Sequence, residues 1–325
     1  MKNYTVKLYQ ETDYEKWNAF IGQAKNATFL FHRDFMEYHK DRFKDFSLLV
    51  YENEKLVSVL PANKAHDVVY SHQGLTYGGL VYDEKIKLVS VIEIFKSILV
   101  FLNEKAVVKL HLKTLPTIYH LKPSEEIQYA LFLAEAKLVR RDSLSVLNLS
   151  QENKISKIRR RGIQKAVFNG LVIKEEDDFE GFWNKVLIPN LDNKHQAKPV
   201  HTLDEIQLLK KIFPVNIRQF NVYQNDKIIA GTSVFESKNV AHCQYISKNE
   251  NQDNLGSLDF LFEFLIKKVF SEKQFFDFGI SNEEQGQKLN EGLSYWKESF
   301  GASTVVHDFY EVETINYGLL NNVLL

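Results

Sequence analysis

The chain has almost no cysteine. Cys243 is the single one among 325 residues, which excludes an internal disulfide framework and a Cys-rich zinc site and fits a reducing compartment. A long hydrophobic run is missing as well. Glu93 and Lys96 interrupt the longest, around residues 88–102, and a helical membrane span needs about 20 apolar residues. No sign of charge dominates: the formal net charge of −1 argues against a dedicated nucleic-acid binder while leaving room for a local basic patch. The N-terminus, MKNYTVKLYQ, lacks the apolar stretch of a signal peptide, so a cytoplasmic protein is the expectation. There is no GxxxxGK(S/T) phosphate loop and no GxSxG elbow. Asp277-Phe278-Gly279 spells the kinase triplet, but no Gly-rich loop or HRD segment precedes it, which excludes a kinase.

What the chain does contain is a repeat. VYENEKLV at Val50 returns as VYQNDKII at Val222, 172 residues later, as four identities and four conservative exchanges. Each copy reads as strand, polar turn and strand, with Asn53 and its charged neighbours making the first turn. The surroundings repeat too. After the first hairpin come a Gly-rich segment, SHQGLTYGGLVY, a helical stretch over residues 86–103, and the β-like run AVVKLHL. After the second come VAHCQYIS, a polar loop KNENQDNLGS, the helix LDFLFEFLIKKVF and the strand QFFDFGI. In that helix Asp259, Glu263 and Lys267 form one polar stripe on an apolar cylinder, as expected of a helix packed across a sheet. Two similar α+β domains follow, over residues 1–145 and 146–303, with residues 304–325 as a tail packing back on the body. With 44% hydrophobic and 26% charged residues, the chain suits two globular domains of ordinary size.

Local signals mark further helices. Pro123 and Ser124, followed by Glu125 and Glu126, open one through Lys137. Thr202 and Glu205 have capping-box spacing, with Pro214 closing that helix. KISKIRRRGIQKAVFNG places Ile155, Ile158, Ile163, Ala166 and Val167 near one face, with Gly170 as the stop. Ser281 and Glu284 form a further capping-box pair, beyond which Leu289, Leu293, Trp296 and Phe300 make an apolar stripe.

Several groups suggest chemistry. Lys154, Lys157, Arg161 and Lys165 line one face of the basic helix beside Arg159 and Arg160. Such a stripe binds the phosphates of a nucleotide, a diphosphate-linked lipid or RNA, or is a solvated face paired with acids such as Glu175 and Glu176. In SHQGLTYGGL, His72, Thr76 and Tyr77 alternate with glycines, which fits either close backbone approach to a ligand or bulges in a sheet. Lys297 adjoins the last apolar stripe. Its stem is expected to pack while its ammonium either steadies negative charge in a cleft or reaches solvent. His195 and His201 are six apart with no third ligand nearby, so no metal is expected.

These pieces together resemble the Fem-type peptidoglycan-bridge aminoacyltransferases and their FemAB-like relatives in the GNAT acyltransferase superfamily. The resemblance runs through FLFHRDFMEYHKDRF and LPAN, RRRGIQKAVFNG, AGTSVF, HCQYIS, DFGIS and SYWKESFGA. It implies an α+β fold of two tandem GNAT-like domains, each a mostly antiparallel twisted sheet flanked by helices, and an N-acyltransferase working through a ternary complex. On this resemblance Lys297 and Trp296 match an aromatic-Lys pair that serves the transferred group or the acceptor phosphates. Tyr245 matches a strand position where the family has a tyrosine lining the substrate channel, and Lys40 ends a segment that resembles the family's phosphate-contacting N-terminal stretch. Gln244, and from the Gly-rich and basic-helix motifs His72, Tyr77, Arg161 and Lys165, complete the substrate-binding candidates. Where the family carries an Arg and a Tyr before the central helix, this chain has NLDNKHQAKPVHTLDE, leaving Lys194, His195 and His201 as candidates. His201 and Asp277 are the candidate bases, and Cys243 a buried structural thiol. The implied co-substrate is acyl-CoA or aminoacyl-tRNA, with no permanently bound cofactor. The acceptor is an amine of a small or lipid-linked cell-envelope precursor; tRNA and a peripheral membrane contact are further partners. The alternative is a non-catalytic GNAT-like module that binds a phosphorylated ligand.

Overall fold

A computed structural model of the chain describes residues 3–249 and 255–325, without the side chains of Lys194 and His195. The chain forms two compact units: Met1–Asp142 with Gln285–Gln287 and Val306–Leu325, and Ser143–Glu284 with Lys288–Val305.

In unit 1 the order is β1 (Tyr4–Leu8), α1 (Tyr14–Gln23), α2 (Arg33–Met36), β2 (Leu48–Glu52), β3 (Lys55–Leu60), β4 (Asn63–Ala65), β5 (Val68–Tyr70), β6 (Val81–Tyr82), α3 (Leu88–Glu104), β7 (Lys109–Lys113) and α4 (Glu126–Leu133). Strands β1-β2-β3-β6 make an antiparallel sheet, while β4 pairs β5 and β5 runs parallel to β7. Helix α3 buries Val91, Ile94, Phe95, Ile98, Leu99 and Leu102 in one core with Leu48, Val50 and Val57. Helix α4 is shorter than its acidic start suggested. It stops at Leu133, Ala136 N–H caps the Leu131 carbonyl at 2.9 Å, and Glu135 turns to φ 51° before the next strand claims Lys137.

The chain continues through β8 (Lys137–Asn148) into unit 2: α5 (Lys157–Phe168), β9 (Val172–Glu176) and α6 (Glu180–Phe182), which runs through a π-helical stretch, Trp183–Leu187, into α7 (Ile188–His195). Then come α8 (Leu203–Ile212), β10 (Ile217–Gln224), β11 (Lys227–Glu236), β12 (Val240–Lys248), α9 (Ser257–Phe264) with a π-helical extension Leu265–Val269, β13 (Phe275–Ile280), a small hairpin of β14 (Asn282–Glu283) and β15 (Lys288–Leu289), and α10 (Glu291–Glu298). The sheet order is β8-β13-β12-β11-β10-β9, antiparallel throughout except that β12 and β13 are parallel. The last strand, β16 (Ser303–Glu313), pairs its Phe309–Glu313 part with β7, and the tail sends Val312 and Leu320 into the core of unit 1.

The repeated hairpin is one element built twice. β2 and β3 pair with a register shift between Val50 and Tyr51; β10 and β11 shift between Val222 and Tyr223, the equivalent positions. Their turns differ: Asn53 alone has positive φ in the first, whereas Asn225 and Asp226 both do in the second, as a type I′ turn demands.

Three helical expectations need correction. Ser156 caps α5 by accepting from Arg159 N–H, so Lys154 and Ile155 precede the helix, and Ile158 and Val167 are exposed rather than on the buried face with Ile163 and Ala166. Asp259 does not stay with Glu263 and Lys267 in one polar stripe: it is buried and paired with Arg159 at 2.7 Å. Ser281 and Glu284 do not cap a helix. Asn282 Oδ1 instead accepts from Ser143 N–H at 2.6 Å, β14 pairs β15, and α10 starts later under Asn290. Leu289 therefore lies off the helix, and with Leu293 it is exposed, while Phe300 is buried. The expected capping box of α8 does form, with Thr202 Oγ1 accepting from Glu205 N–H at 3.2 Å and Glu205 Oε2 from Thr202 N–H at 2.8 Å.

Candidate active site in unit 2

Parallel strands with a short overlap create a fork. β12 and β13 pair only at Val240↔Phe275, Ala241↔Phe276 and His242↔Asp277. Beyond that point β12 runs on to Lys248, hydrogen-bonded along its other edge to β11. Strand β13 runs on to Ile280, where it meets β8 at Leu144. A register shift between Ser233 and Val234 leaves Gln244 as the extra residue of a bulge in β12, which bends the strand and re-aims its side chains.

At the fork, His242 Nδ1 donates to Asp277 Oδ2 at 2.9 Å, and Gly279 N–H donates to Asp277 Oδ1 at 2.7 Å. Asp277 is fully buried and His242 nearly so. The second bond requires the chain to double back within two residues. Gly279 does so with φ +75°, in the left-handed region that a side chain resists. With Nδ1–H held by the carboxylate, Nε2 is the ring nitrogen left to exchange a proton.

Lys297, on α10, is 2% exposed. Its Nζ donates to the carbonyls of Gly279 at 3.0 Å and Ile280 at 2.6 Å, leaving one of three N–H donors uncommitted to these two. Burial lowers its pKa to about 8, against the opposing pull of the Asp277 carboxylate. Burial, and then Asp277, push the Cys243 thiol the other way, to a raised pKa, so it is a packed apolar group in the unit 2 core rather than a thiolate. Two buried oxygens near the fork in sequence, Gln244 Oε1 and Ser281 Oγ, have no hydrogen-bond partner among the described residues. Buried polar atoms are rarely left so without a ligand or water to satisfy them.

A second pair joins Tyr245, on β12 past the bulge, to His201, just before α8. His201 N–H donates to the Tyr245 hydroxyl at 3.1 Å, and the same hydroxyl is hydrogen-bonded to His201 Nδ1 at 2.6 Å. The Tyr245 ring meets Trp183 edge-on at 5.0 Å, and Trp183 Nε1 donates to the His201 carbonyl at 3.3 Å. The π-helical turn that carries Trp183 thus holds the Tyr–His pair; such turns recur at functional sites.

The structure therefore brings Asp277 and Lys297 together at one end of β13 and joins Tyr245 to His201. Trp296 is tied to Asp259 Oδ1 by its indole N–H at 3.2 Å and packs in a cluster with Phe262, Phe278 and Phe300. Arg161 and Lys165 stand on the exposed face of α5. The acids expected to offset that face are engaged elsewhere, Glu175 with Arg218 at 2.7 Å and Glu176 with Asn221 and Tyr223. The side chains of Lys194 and His195 lie outside the described residues, as does much of the polar loop, residues 250–254. Lys40, His72 and Tyr77 belong to unit 1. There Lys40 is exposed beside Glu37, and Tyr77 is a core residue whose hydroxyl donates to Thr28 at 3.0 Å. His72 is buried with φ 60° and its Nδ1 accepts from Gly74 N–H at 3.2 Å. In that loop the glycines serve internal packing: a Cβ on Gly78 would lie 1.8 Å from the Ser71 carbonyl and one on Gly74 2.0 Å from His39 Nε2. No group of three His, Cys, Asp or Glu side chains is placed to hold a metal among the described residues. Nor is any described helix long and apolar enough to cross a membrane. His242 was missed by sequence reasoning, because only the parallel register sets it opposite Asp277.

Comparison with solved structures identifies the architecture. FemX aligns over 98% of this chain and 99% of its own, at TM-score 0.66 and 9% identity. L-PGS from Bacillus licheniformis aligns over 97% and 96%, at 0.56 and 10%. A tandem GNAT protein from the clavulanic acid biosynthesis pathway aligns over 96% and 99%, at 0.54 and 9%. No protein-family model and no curated protein matches the chain. At these identities the likeness is one of fold: the α+β fold of Fem-type and tandem GNAT proteins.

Proposed function

We propose that this chain is an N-acyltransferase and that unit 2 carries the chemistry. The reading rests above all on the fork between β12 and β13, where a buried His–Asp pair and a buried lysine meet a strand edge left open. An amine of the acceptor attacks the carbonyl carbon of an activated ester or thioester. The new C–N bond forms as the carbonyl pair moves onto oxygen. Preorganised donors at the fork, with the remaining N–H of Lys297, stabilise that oxyanion. His242 Nε2 takes the amine proton while Asp277 holds the imidazole in the required tautomer. Collapse re-forms the carbonyl, breaks the C–O or C–S bond, and returns the proton to the leaving oxygen or sulfur. Cys243 takes no part, and in this reading both substrates bind together without an acyl-enzyme.

An acyl-CoA donor stays in play beside aminoacyl-tRNA, since AcCoA is the co-substrate named for the tandem GNAT protein of this fold. The acceptor in this reading is an amine of a cell-envelope precursor, as the Fem-type resemblance implies.

The test is transfer by the purified protein from aminoacyl-tRNA and from acyl-CoA, with and without His242→Gln. Transfer from either donor that falls about 100- to 10,000-fold in the variant supports the reading. A binding module would show no transfer with either donor and full ligand affinity in both proteins.

A further inference from the structure

The segment from Lys154 to Lys174 holds seven Lys or Arg and no acid, in a chain of net charge −1. Within it, α5 turns Ile163 and Ala166 inward, and Gly162 packs so closely that a Cβ there would lie 2.0 Å from Asp259 Oδ2. The opposite face carries Lys157, Arg160, Arg161 and Lys165, all exposed. Of these, Lys157, Arg160 and Arg161 make no ion pair among the described residues, and Arg159 alone is spent on Asp259. At the C-terminal end of the same face stands Phe168, 90% exposed, with Val167 at 61% and Val172 at 51%. A helix 12 residues long is about 18 Å, so the cations and the apolar tip share one small surface.

We propose that this face of α5 docks on an anionic phospholipid surface, with the cations at the headgroups and Phe168, Val167 and Val172 entering the interface. Charge complementarity supplies the attraction: clustered Lys and Arg are drawn to anionic leaflets, and an aromatic flanked by aliphatics inserts at the headgroup boundary. RNA fits the cations equally well, but a base stacks on the open ring of Phe168 and gains little from the two valines. A lipid interface buries all three. The surface lies outside the proposed active site and does not depend on it.

Sedimentation with vesicles of phosphatidylcholine, with and without phosphatidylglycerol, tests the proposal. The whole protein is expected to bind the anionic vesicles selectively and to release as salt rises. Arg160→Gln with Arg161→Gln should weaken binding roughly 30-fold, and Phe168→Ser roughly tenfold. All three positions are exposed, so the variants should melt like the parent. Equal binding to both vesicle types, or binding unchanged in either variant, overturns the proposal. So does capture of bulk tRNA through these residues in place of vesicles.

Discussion

Lys113 in unit 1 and Lys297 in unit 2 are the same device in different settings. Each donates to two main-chain carbonyls: Lys113 to Gln73 at 3.3 Å and Leu75 at 2.5 Å, Lys297 to Gly279 and Ile280 at 3.0 and 2.6 Å. Burial lowers both to about 8. Their neighbours differ. The charge felt by Lys113 is Arg140, and nearby His72 is pushed by burial to about 3, with His39, Lys113 and Arg33 adding to the effect. The charge felt by Lys297 is the Asp277 carboxylate, which also orients an imidazole. A lysine clamping a closed glycine loop is architecture. The same clamp beside an oriented imidazole at a fork supplies the parts that the proposed acyl transfer uses.

Substitutions at the two histidines should separate these settings most widely. His242→Gln is expected to cut transfer about 100- to 10,000-fold, whereas His72→Asn, which tolerates the left-handed backbone, should leave the rate within a few-fold. Equal losses would return unit 1 to the active machinery. Next come the lysines. Lys297→Met should lower turnover about tenfold or more through lost oxyanion stabilisation, and Lys113→Met should change unfolding free energy by about 1–3 kcal/mol, through its unpaired carbonyls, with turnover kept.

Stability against pH sharpens the same contrast. Both lysines have folded pKa values near 8, below the roughly 10.4 of an unfolded chain. Between those values the unfolded chain holds more protons, so stability rises with pH. The gain is absent below pH 8 and builds toward pH 10. Above about pH 8.5 the raised Cys243 thiol opposes this gain, and above pH 10 Tyr14 and Tyr223, raised to about 12, oppose it further. Denaturant titrations at pH 8 and 10 should show each lysine's share, up to about 1.4 kcal/mol per unit, as the difference between the parent and its Lys→Met variant. The smallest effect distinguishes the two hairpins. Asp226→Gly relieves a positive φ and should stabilise by about 0.5–1 kcal/mol. Glu54→Gly, at the equivalent place with no positive φ, should destabilise slightly by chain entropy. Thermal melts of the pair would show whether the turns differ as their backbones do.

How much was legible follows from the range of the forces involved. The doubled hairpin was readable because turn chemistry and side-chain alternation act within ten residues, and the Thr202–Glu205 cap because it spans one helical turn. The Ser281–Glu284 cap failed for the opposite reason: Asn282 had a better partner in Ser143, far away in the chain. Asp259 reads as one of a polar stripe on its own helix and is buried against Arg159, 100 positions earlier.

The sequence by itself determined the duplication, the element types and the α+β character of each half, since those follow from local periodicity and from turn and capping residues. Only the tertiary structure decided that β12 and β13 run parallel for three residue pairs and then part. That register sets His242 against Asp277 and leaves Lys297 to hold the end of β13. Strand register is a cooperative outcome of the whole sheet's packing, and no local pattern in either strand encodes its neighbour.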